Sequence, residues 1–104
     1  LWVWGKNTSG QLGDDTIISK SSPIQTVSGG TNWKSVSAGS LSTVAAIKSD
    51  GTLWAWGRNN YGQLGDDSVV DKSTPVQIGI GTNWKSVSAG QLNTLAIKDA
   101  DDDF

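Results

Sequence analysis

Carboxylates are the first residues of this sequence that could do chemistry, and they occur in three groups. Asp14-Asp15 and Asp66-Asp67 are adjacent pairs, and residues 99–103 form an acidic run. Paired carboxylates can perform acid–base work, and carboxylates at alternating positions can supply oxygen ligands to calcium. Both pairs directly follow the same Gly-Gln-Leu-Gly segment, so a repeated role in loops explains them better than catalysis does. The acidic run lacks a following Gly or closing Glu and is interpreted as a solvated tail.

The usual nucleophiles, bases and metal ligands of enzymes are missing. The chain has no Cys and no His, which removes thiolate nucleophiles, Cys- or His-ligated metals and the commonest general base. The eight basic residues are scattered along the sequence and the net charge is −2, so we expect no nucleic-acid partner. We therefore predict that the protein is not an enzyme and that it has no catalytic, cofactor-binding or metal-binding residues.

Tryptophan dominates the aromatic residues, with six Trp against one Tyr and one Phe. Trp side chains can stack on sugars or absorb light, which are two functional interpretations. All six, however, occupy equivalent positions in two copies of one pattern: Trp2 with Trp54, Trp4 with Trp56, and Trp33 with Trp84. Positions that recur in this way are better explained by packing within or between repeated units.

An internal duplication with a period of 52 residues supplies the elements that position these side chains. LWVWGKNTSGQLGDD at 1–15 recurs as LWAWGRNNYGQLGDD at 53–67, and TNWKSVSAG at 31–39 recurs at 82–90, one residue earlier than the period gives because the linker before it is one residue shorter. The domain interpretation is one unit of two repeats, 1–52 and 53–104, with an acidic tail at 99–104. Because the sequence opens inside a strand pattern, it is interpreted as a processed, excised or incompletely sequenced segment. It contains no signal-peptide pattern and no apolar run long enough to span a membrane, so the localisation is left unknown and no membrane partner is expected.

Each repeat predicts four short strands, because short apolar or alternating runs are separated by turn residues. In the first repeat and its continuation these are 24–27, 34–38, 44–48 and 53–56, with Ser49-Asp50-Gly51 as a tight hairpin turn. Gly62 and Gly65 are expected to bracket a compact turn that has no room for side chains. One extra residue in 43–48 relative to 94–98 predicts a β-bulge in the first copy. Repeated units of four strands predict propeller blades or the coils of a β-solenoid.

The repeat resembles that of the regulator of chromosome condensation family. The matching segments are WAWG at 54–57, Asn59, GQLG at 62–65, PV at 75–76, VSAG at 87–90 and TLAI at 94–97. Ser42 and Asn93 stand where the family has His. The resemblance implies a β-propeller, most often seven-bladed. Its members include a nucleotide exchange factor for a small GTPase, β-lactamase inhibitors, a UV-B receptor and scaffold domains, so the fold does not choose among functions.

On the family's blade scheme the strands leave unequal ends. Residues 1–4 are the last strand of one blade, 24–56 form a complete blade, and 76–98 form a blade that lacks its fourth strand. The predicted fold class is all-β, with blades of four antiparallel strands, two blades per chain, and a ring completed by other chains or by a longer parent chain. We predict that the first strand of one copy completes the last blade of another, giving a ring of six or eight blades. The residues assigned to this assembly are Leu1, Trp2, Val3, Trp4, Leu95 and Ile97.

Residues that differ between the copies are the candidates for partner specificity, because packing does not dictate them. They fall in the loop before GQLG, and we assign a partner-binding loop to Arg58, Asn60 and Tyr61. The predicted function is a non-catalytic scaffold or protein-interaction module that self-assembles by inter-chain strand exchange. Two alternatives remain open: a guanine-nucleotide exchange regulator of a small GTPase, and a lectin-like or adhesive module with an unknown protein or glycan partner. A nucleotide-release assay and a glycan array discriminate between them.

Overall fold

The computed structural model describes residues 1–26, 33–39, 42–79, 81–90 and 94–98, the last of these by backbone alone. These residues form only strands, turns and loops, so none of them belongs to a helix that could cross a membrane. The strands in chain order are β1 (Trp2–Gly5), β2 (Lys20–Gln25), β3 (Trp33–Ala38), β4 (Thr43–Lys48), β5 (Leu53–Gly57), β6 (Lys72–Gln77), β7 (Trp84–Ala89) and β8 (Thr94–Lys98).

The strands form one complete four-stranded sheet and two half-sheets, all antiparallel. The complete sheet has the order β3-β4-β5-β6, and the half-sheets are β1-β2 and β7-β8. The half-sheets reproduce the two halves of the complete one. Val3 pairs with Ile24 as Ala55 pairs with Val76, and Val87 pairs with Ala96 as Val36 pairs with Ala46. The predicted all-β fold with blades of four antiparallel strands is therefore confirmed.

The predicted boundaries of the blades are wrong, although the strands are present. The prediction grouped 24–27 with the three following strands, but β2 pairs with β1, and β6 completes the sheet of β3, β4 and β5. The reason is the loop between β1 and β2, which reverses the chain so that β2 returns beside β1, with Trp2 opposite Gln25 and Gly5 opposite Lys20. Consequently each end of the described chain carries half a blade, rather than one strand at one end and three at the other.

Two smaller predictions about the strands are also corrected. Both β3–β4 and β7–β8 shift register once, after Trp33 and after Trp84 respectively, so there is no additional bulge in the first copy. The extra residue belongs to the turn: residues 39–43 separate the paired Ala38 and Val44, whereas 90–93 separate Ala89 and Thr94. Pro23 and Pro75 lie inside β2 and β6 rather than before them. Each of these strands pairs on one side within the described residues, where a missing N–H is tolerated.

The central strands of the complete blade, β4 and β5, are buried, whereas β3 is largely exposed. On one face Val44, Ala46 and Trp56 form a cluster against which Leu1 packs. On the other face Ala45, Ala55 and Leu64 pack against Ile78 and Val87. The apolar run of β4 is buried along its length because both of its sides are covered. Hydrogen bonds also join the blade to the next half-blade, from the Ala89 amide to Ser37 Oγ (3.0 Å) and from the Trp84 amide to the Gly51 carbonyl (3.1 Å).

Candidate assembly edge and binding loop

The loop between β5 and β6 is built around one buried side chain, Asn59. Its Oδ1 accepts a hydrogen bond from the Leu64 amide (2.9 Å), and its Nδ2 donates to Asp66 Oδ1 (3.0 Å) and to the Val70 carbonyl (3.1 Å). Asn7 repeats this arrangement between β1 and β2, with the Leu12 amide at 2.9 Å and the Ile18 carbonyl at 3.0 Å. Sequence comparison identified Asn59 only as part of a motif, and the structure shows that it holds both ends of its loop together.

The first carboxylate of each Asp pair belongs to the same loop structure. Asp14 Oδ1 accepts hydrogen bonds from the Thr16 hydroxyl (2.7 Å) and amide (3.0 Å), and Lys20 Nζ lies 3.0 Å from Asp14 Oδ2. Burial alone raises the pKa of Asp14, but hydrogen bonds from Thr16, Lys20 and Asn7 outweigh it and lower the pKa from 3.8 to about 2. These bonds match the structural role that the sequence predicts for the Asp pairs.

Acid is expected to destabilise the fold as Asp14 takes up a proton. A carboxyl group whose pKa is depressed in the folded state, here from 3.8 to about 2, stabilises the fold above its unfolded pKa and loses this contribution as the pH falls through the folded pKa. The loss therefore falls between about pH 4 and pH 2 and amounts to about 2 kcal/mol. The free energy of unfolding, measured by urea titration across this range, should depend less on pH for Asp14→Asn than for the wild type. Parallel curves for the two proteins would contradict this assignment.

The Gly-Gln-Leu-Gly segment of the first repeat docks onto the complete blade. The Trp56 indole N–H donates to the Gln11 carbonyl (2.8 Å), and Gln11 Nε2 donates to Ser42 Oγ (3.0 Å). Ser42, which stands where the family has His, thus receives a hydrogen bond from the neighbouring half-blade. Gly13 has a φ of +70°, and a Cβ there would lie 2.8 Å from the Trp56 indole nitrogen, so this glycine is required for both conformation and space.

The expectation that Gly62 and Gly65 leave no room for side chains is wrong. Added Cβ atoms would lie 3.8 Å from the Ser68 carbonyl and 3.5 Å from an Ile78 methyl group respectively, which are ordinary contacts. These glycines are needed for their positive φ angles, +73° and +77°. Gly13, the equivalent of Gly65 in the first repeat, lacks this space because its loop packs against Trp56 of the complete blade.

The residues assigned to assembly lie on two edges. Leu1 packs against the complete blade and Val3 is half-buried, whereas Trp2 is 59% exposed and Trp4 is 60% exposed. Trp56, the equivalent of Trp4, is 0% exposed. Leu95 and Ile97 pair with Ser88 and Ser86 on β8, and their side chains lie outside the described residues.

The β1 edge borders an apolar groove of about 310 Å³. Side chains of β1 form one wall, and Leu12, Val36 and Val44 contribute to the rest of the lining. Val3, Leu12 and Val36 of the groove are the equivalents of Ala55, Leu64 and Val87 at the complete blade. There, Ala45 of β4 packs against these three residues and fills the space. Within the described chain, no strand pairs with β1 on the side where β4 pairs with β5. The groove therefore lies at the place that corresponds to β4 in the complete blade.

The candidate partner-binding loop is exposed at the end of the blade opposite the β4–β5 hairpin. Tyr61 is 66% exposed, and Arg58 Nε donates to Asn60 Oδ1 (3.1 Å). The Tyr61 amide donates to Gln63 Oε1 (2.8 Å), which fixes the backbone while leaving the ring in solvent. The assignment of this loop to partner binding stays a prediction.

The described residues contain no cluster of three or more acidic side chains that could hold a metal ion. The run at 99–103, which the sequence analysis weighed as a calcium motif, lies outside those residues.

A complete four-stranded blade between two half-blades of the same repeat defines a segment of a β-propeller. The chain belongs to the family described as the regulator of chromosome condensation (RCC1) repeat. The family model matches residues 1–46 and 50–97, and a second model of the same description matches 33–63. The resemblance inferred from the WxWG and GQLG motifs is thereby confirmed.

Similar proteins extend well beyond the length of this chain. The ultraviolet-B receptor UVR8 of Arabidopsis thaliana is 30% identical over 106 residues, which cover 100% of this chain and 24% of the receptor. The human E3 ubiquitin-protein ligase HERC2 is 31% identical over 106 residues, covering 93% of this chain and 2% of the ligase. Among solved structures, Prp20p of Saccharomyces cerevisiae superposes with a TM-score of 0.79 at 20% identity, over 93% of this chain and 26% of Prp20p. Human WBSCR16 gives a TM-score of 0.77 at 21% identity, with 93% and 25% covered.

Proposed function

We propose that this chain is a non-catalytic propeller module that serves as a scaffold and self-assembles by completing blades between copies. The half-blade β7–β8 of one copy and the half-blade β1–β2 of the next together make the four strands of a complete blade. The observation that carries the proposal is the exposure of Trp2 and Trp4 on an edge of β1 that is unpaired within the described chain, while their equivalents beside β4 are part-buried or fully buried. Addition of a strand to an open edge is a common mode of protein recognition.

The complete blade supplies the register expected at such a junction. β4 pairs with β5 through Val44 and Trp56, Ala46 and Trp54, and Ile47 and Leu53. Since Val87 faces Ala96 as Val36 faces Ala46, β8 can be placed on β4 residue by residue. The expected pairs between copies are Thr94 with Trp4, Ala96 with Trp2, and Ile97 with Leu1. Leu95 would then hold the position of Ala45, next to the groove beside β1.

Burial of two Trp side chains and pairing of two backbone edges would stabilise each junction by several kcal/mol. The assembly differs from the single-strand exchange expected from sequence, because each copy contributes two strands to the shared blade. Each copy still contributes two blades in total, so closed rings of identical copies have an even number of blades, with six or eight expected. In a longer chain, further repeats would fill the same edges covalently.

The test is the solution mass of the 104-residue chain by light scattering at micromolar concentration. We expect three or four copies for the wild type and a single copy for the double variant Trp2→Thr/Trp4→Thr. Tyr61→Thr is the matched control, because it removes an aromatic ring that is 66% exposed on a different loop, and it should leave the mass unchanged. A folded wild-type monomer, or a double variant that remains assembled, would rule out this mode of assembly.

A further inference from the structure

The first strands of the two adjacent blades begin at the same end of the molecule. We call this the hairpin end, defined by the β4–β5 turn at residues 48–53. Trp33 at the start of β3 pairs with Lys48, and the Trp84 amide at the start of β7 donates to the Gly51 carbonyl (3.1 Å). Since neighbouring strands are antiparallel, the loops between β1 and β2 and between β5 and β6 lie at the opposite end.

The basic residues are divided equally between these two ends, whereas the acidic residues of the described ranges are not. Four of the chain's eight basic residues belong to the hairpin end: Lys34, Lys48, Lys85 and Lys98. Lys34 and Lys85 are exposed and equivalent, one residue into β3 and β7. Asp50 is the single acidic residue at this end within the described ranges, and its carboxylate accepts hydrogen bonds from Thr52. The other described acidic residues lie at the opposite end: Asp14, Asp15, Asp66, Asp67 and Asp71.

One lysine at the hairpin end, Lys48, is held in place by the blade. Lys48 Nζ lies 4.3 Å from the centre of the Trp54 ring and 5.0 Å from that of Trp33, which fixes its ammonium group by cation–π attraction. Lys34 and Lys85 lie on β3 and β7, which are joined by the hydrogen bond from the Ala89 amide to Ser37 Oγ (3.0 Å). A net-acidic chain thus presents a row of positive charge across adjacent blades.

We infer that the hairpin end binds acidic peptide segments, through Lys34 and Lys85 as the principal contacts. This inference rests on the proposed binding role and names the class of partner. Lys ammonium groups pair with carboxylates, and the exposed Ser35 and Ser86 add hydroxyl donors next to them. Charge complementarity favours this occupant, because the described side chains of this end include Lys34, Lys48 and Lys85 and a single acidic residue, Asp50.

A nucleic acid fits this surface less well than an acidic peptide does. Among the described residues of the hairpin end the basic groups are Lys rather than Arg, so there is no bidentate fork for phosphate. The Trp33 and Trp54 rings at this end contact Lys48 and each other, with ring centres 6.4 Å apart. They therefore do not form an open platform on which bases could stack.

The experiment measures binding of a fluorescent polyglutamate peptide by anisotropy at low salt. The double variant Lys34→Gln/Lys85→Gln should bind roughly tenfold more weakly than the wild type, and each single variant should lose part of that effect. Lys6→Gln is the matched control, because it removes the same charge from an exposed site at the opposite end, and its affinity should stay within twofold of the wild type. Added salt should weaken wild-type binding more steeply than binding by the double variant.

Equal affinities for the wild type and the double variant would overturn the inference. A labelled DNA duplex that binds more tightly than polyglutamate would overturn the choice of an acidic peptide. Light scattering on the same samples separates this result from the assembly proposal. A monomer that binds polyglutamate contradicts assembly alone, whereas an assembled ring that does not bind it contradicts this inference alone.

Discussion

Asn59→Ala is expected to lower the free energy of unfolding by about 3 kcal/mol, one of the two largest effects in the chain. The side chain is 0% exposed and bonds to the Leu64 amide, Asp66 and the Val70 carbonyl. Its removal leaves the buried Leu64 amide without its acceptor and opens a polar cavity in the loop. Urea unfolding monitored by Trp fluorescence should show a lower midpoint with an unchanged slope.

Asn60→Ala is the matched control for this variant. Asn60 is the adjacent residue, it is exposed, and its side chain bonds to Arg58 on the surface. Its substitution should change the free energy of unfolding by less than about 0.5 kcal/mol. A similar small change for Asn59→Ala would show that the loop is held by its backbone turns rather than by the buried amide.

The sequence predicted the type of fold but not the grouping of its strands, for a physical reason. Short apolar runs such as 44–48, together with the Asp50-Gly51 turn, are local signals, and local signals determine strands and hairpins. Which strand begins a blade is not local, because a repeat can be divided at any point of its period. The strand pairing in the structure determines where each blade ends. Trp2 pairs with Gln25 and Trp54 pairs with Gln77, so the outer strand of each blade follows the WxWG strand.

The candidate sites were predictable to different degrees. The open edge of β1 was inferred by placing the strands on the family's blade scheme, which left β1 without any partner, whereas in the structure β2 pairs with one side of it. The role of Asn59 was not inferred, since its partner at Val70 is a backbone carbonyl that reaches it only after the loop has folded.

The sequence analysis did not identify the lysine cluster at the hairpin end, for a related reason. Lys34, Lys48 and Lys85 are scattered in sequence, and only the reversal of antiparallel strands brings them to one end. The equivalent positions of Lys34 and Lys85 in the two repeats were the signal that could have revealed part of the cluster.

Trp56→Ala is expected to lower the free energy of unfolding by about 3–5 kcal/mol at every protein concentration. Trp56 is 0% exposed, its ring centre lies 5.7 Å from that of Trp33, and its indole N–H donates to the Gln11 carbonyl (2.8 Å). The substitution therefore removes a large side chain from the core and a hydrogen bond that joins the first half-blade to the complete blade. Unfolding should be measured by urea titration at several dilutions.

Trp4→Ala is the informative comparison, because Trp4 holds the same place in the repeat but is 60% exposed in the single chain. If β8 of another copy covers β1, Trp4 is buried in the assembly, and its loss should destabilise the protein only at concentrations where copies associate. Below the association range, Trp4→Ala and the wild type should unfold together, while Trp56→Ala remains less stable than both. A cost for Trp4→Ala that is independent of concentration would mean that Trp4 stabilises its own chain, and the pairing of β8 with β1 between copies would then lose its main support.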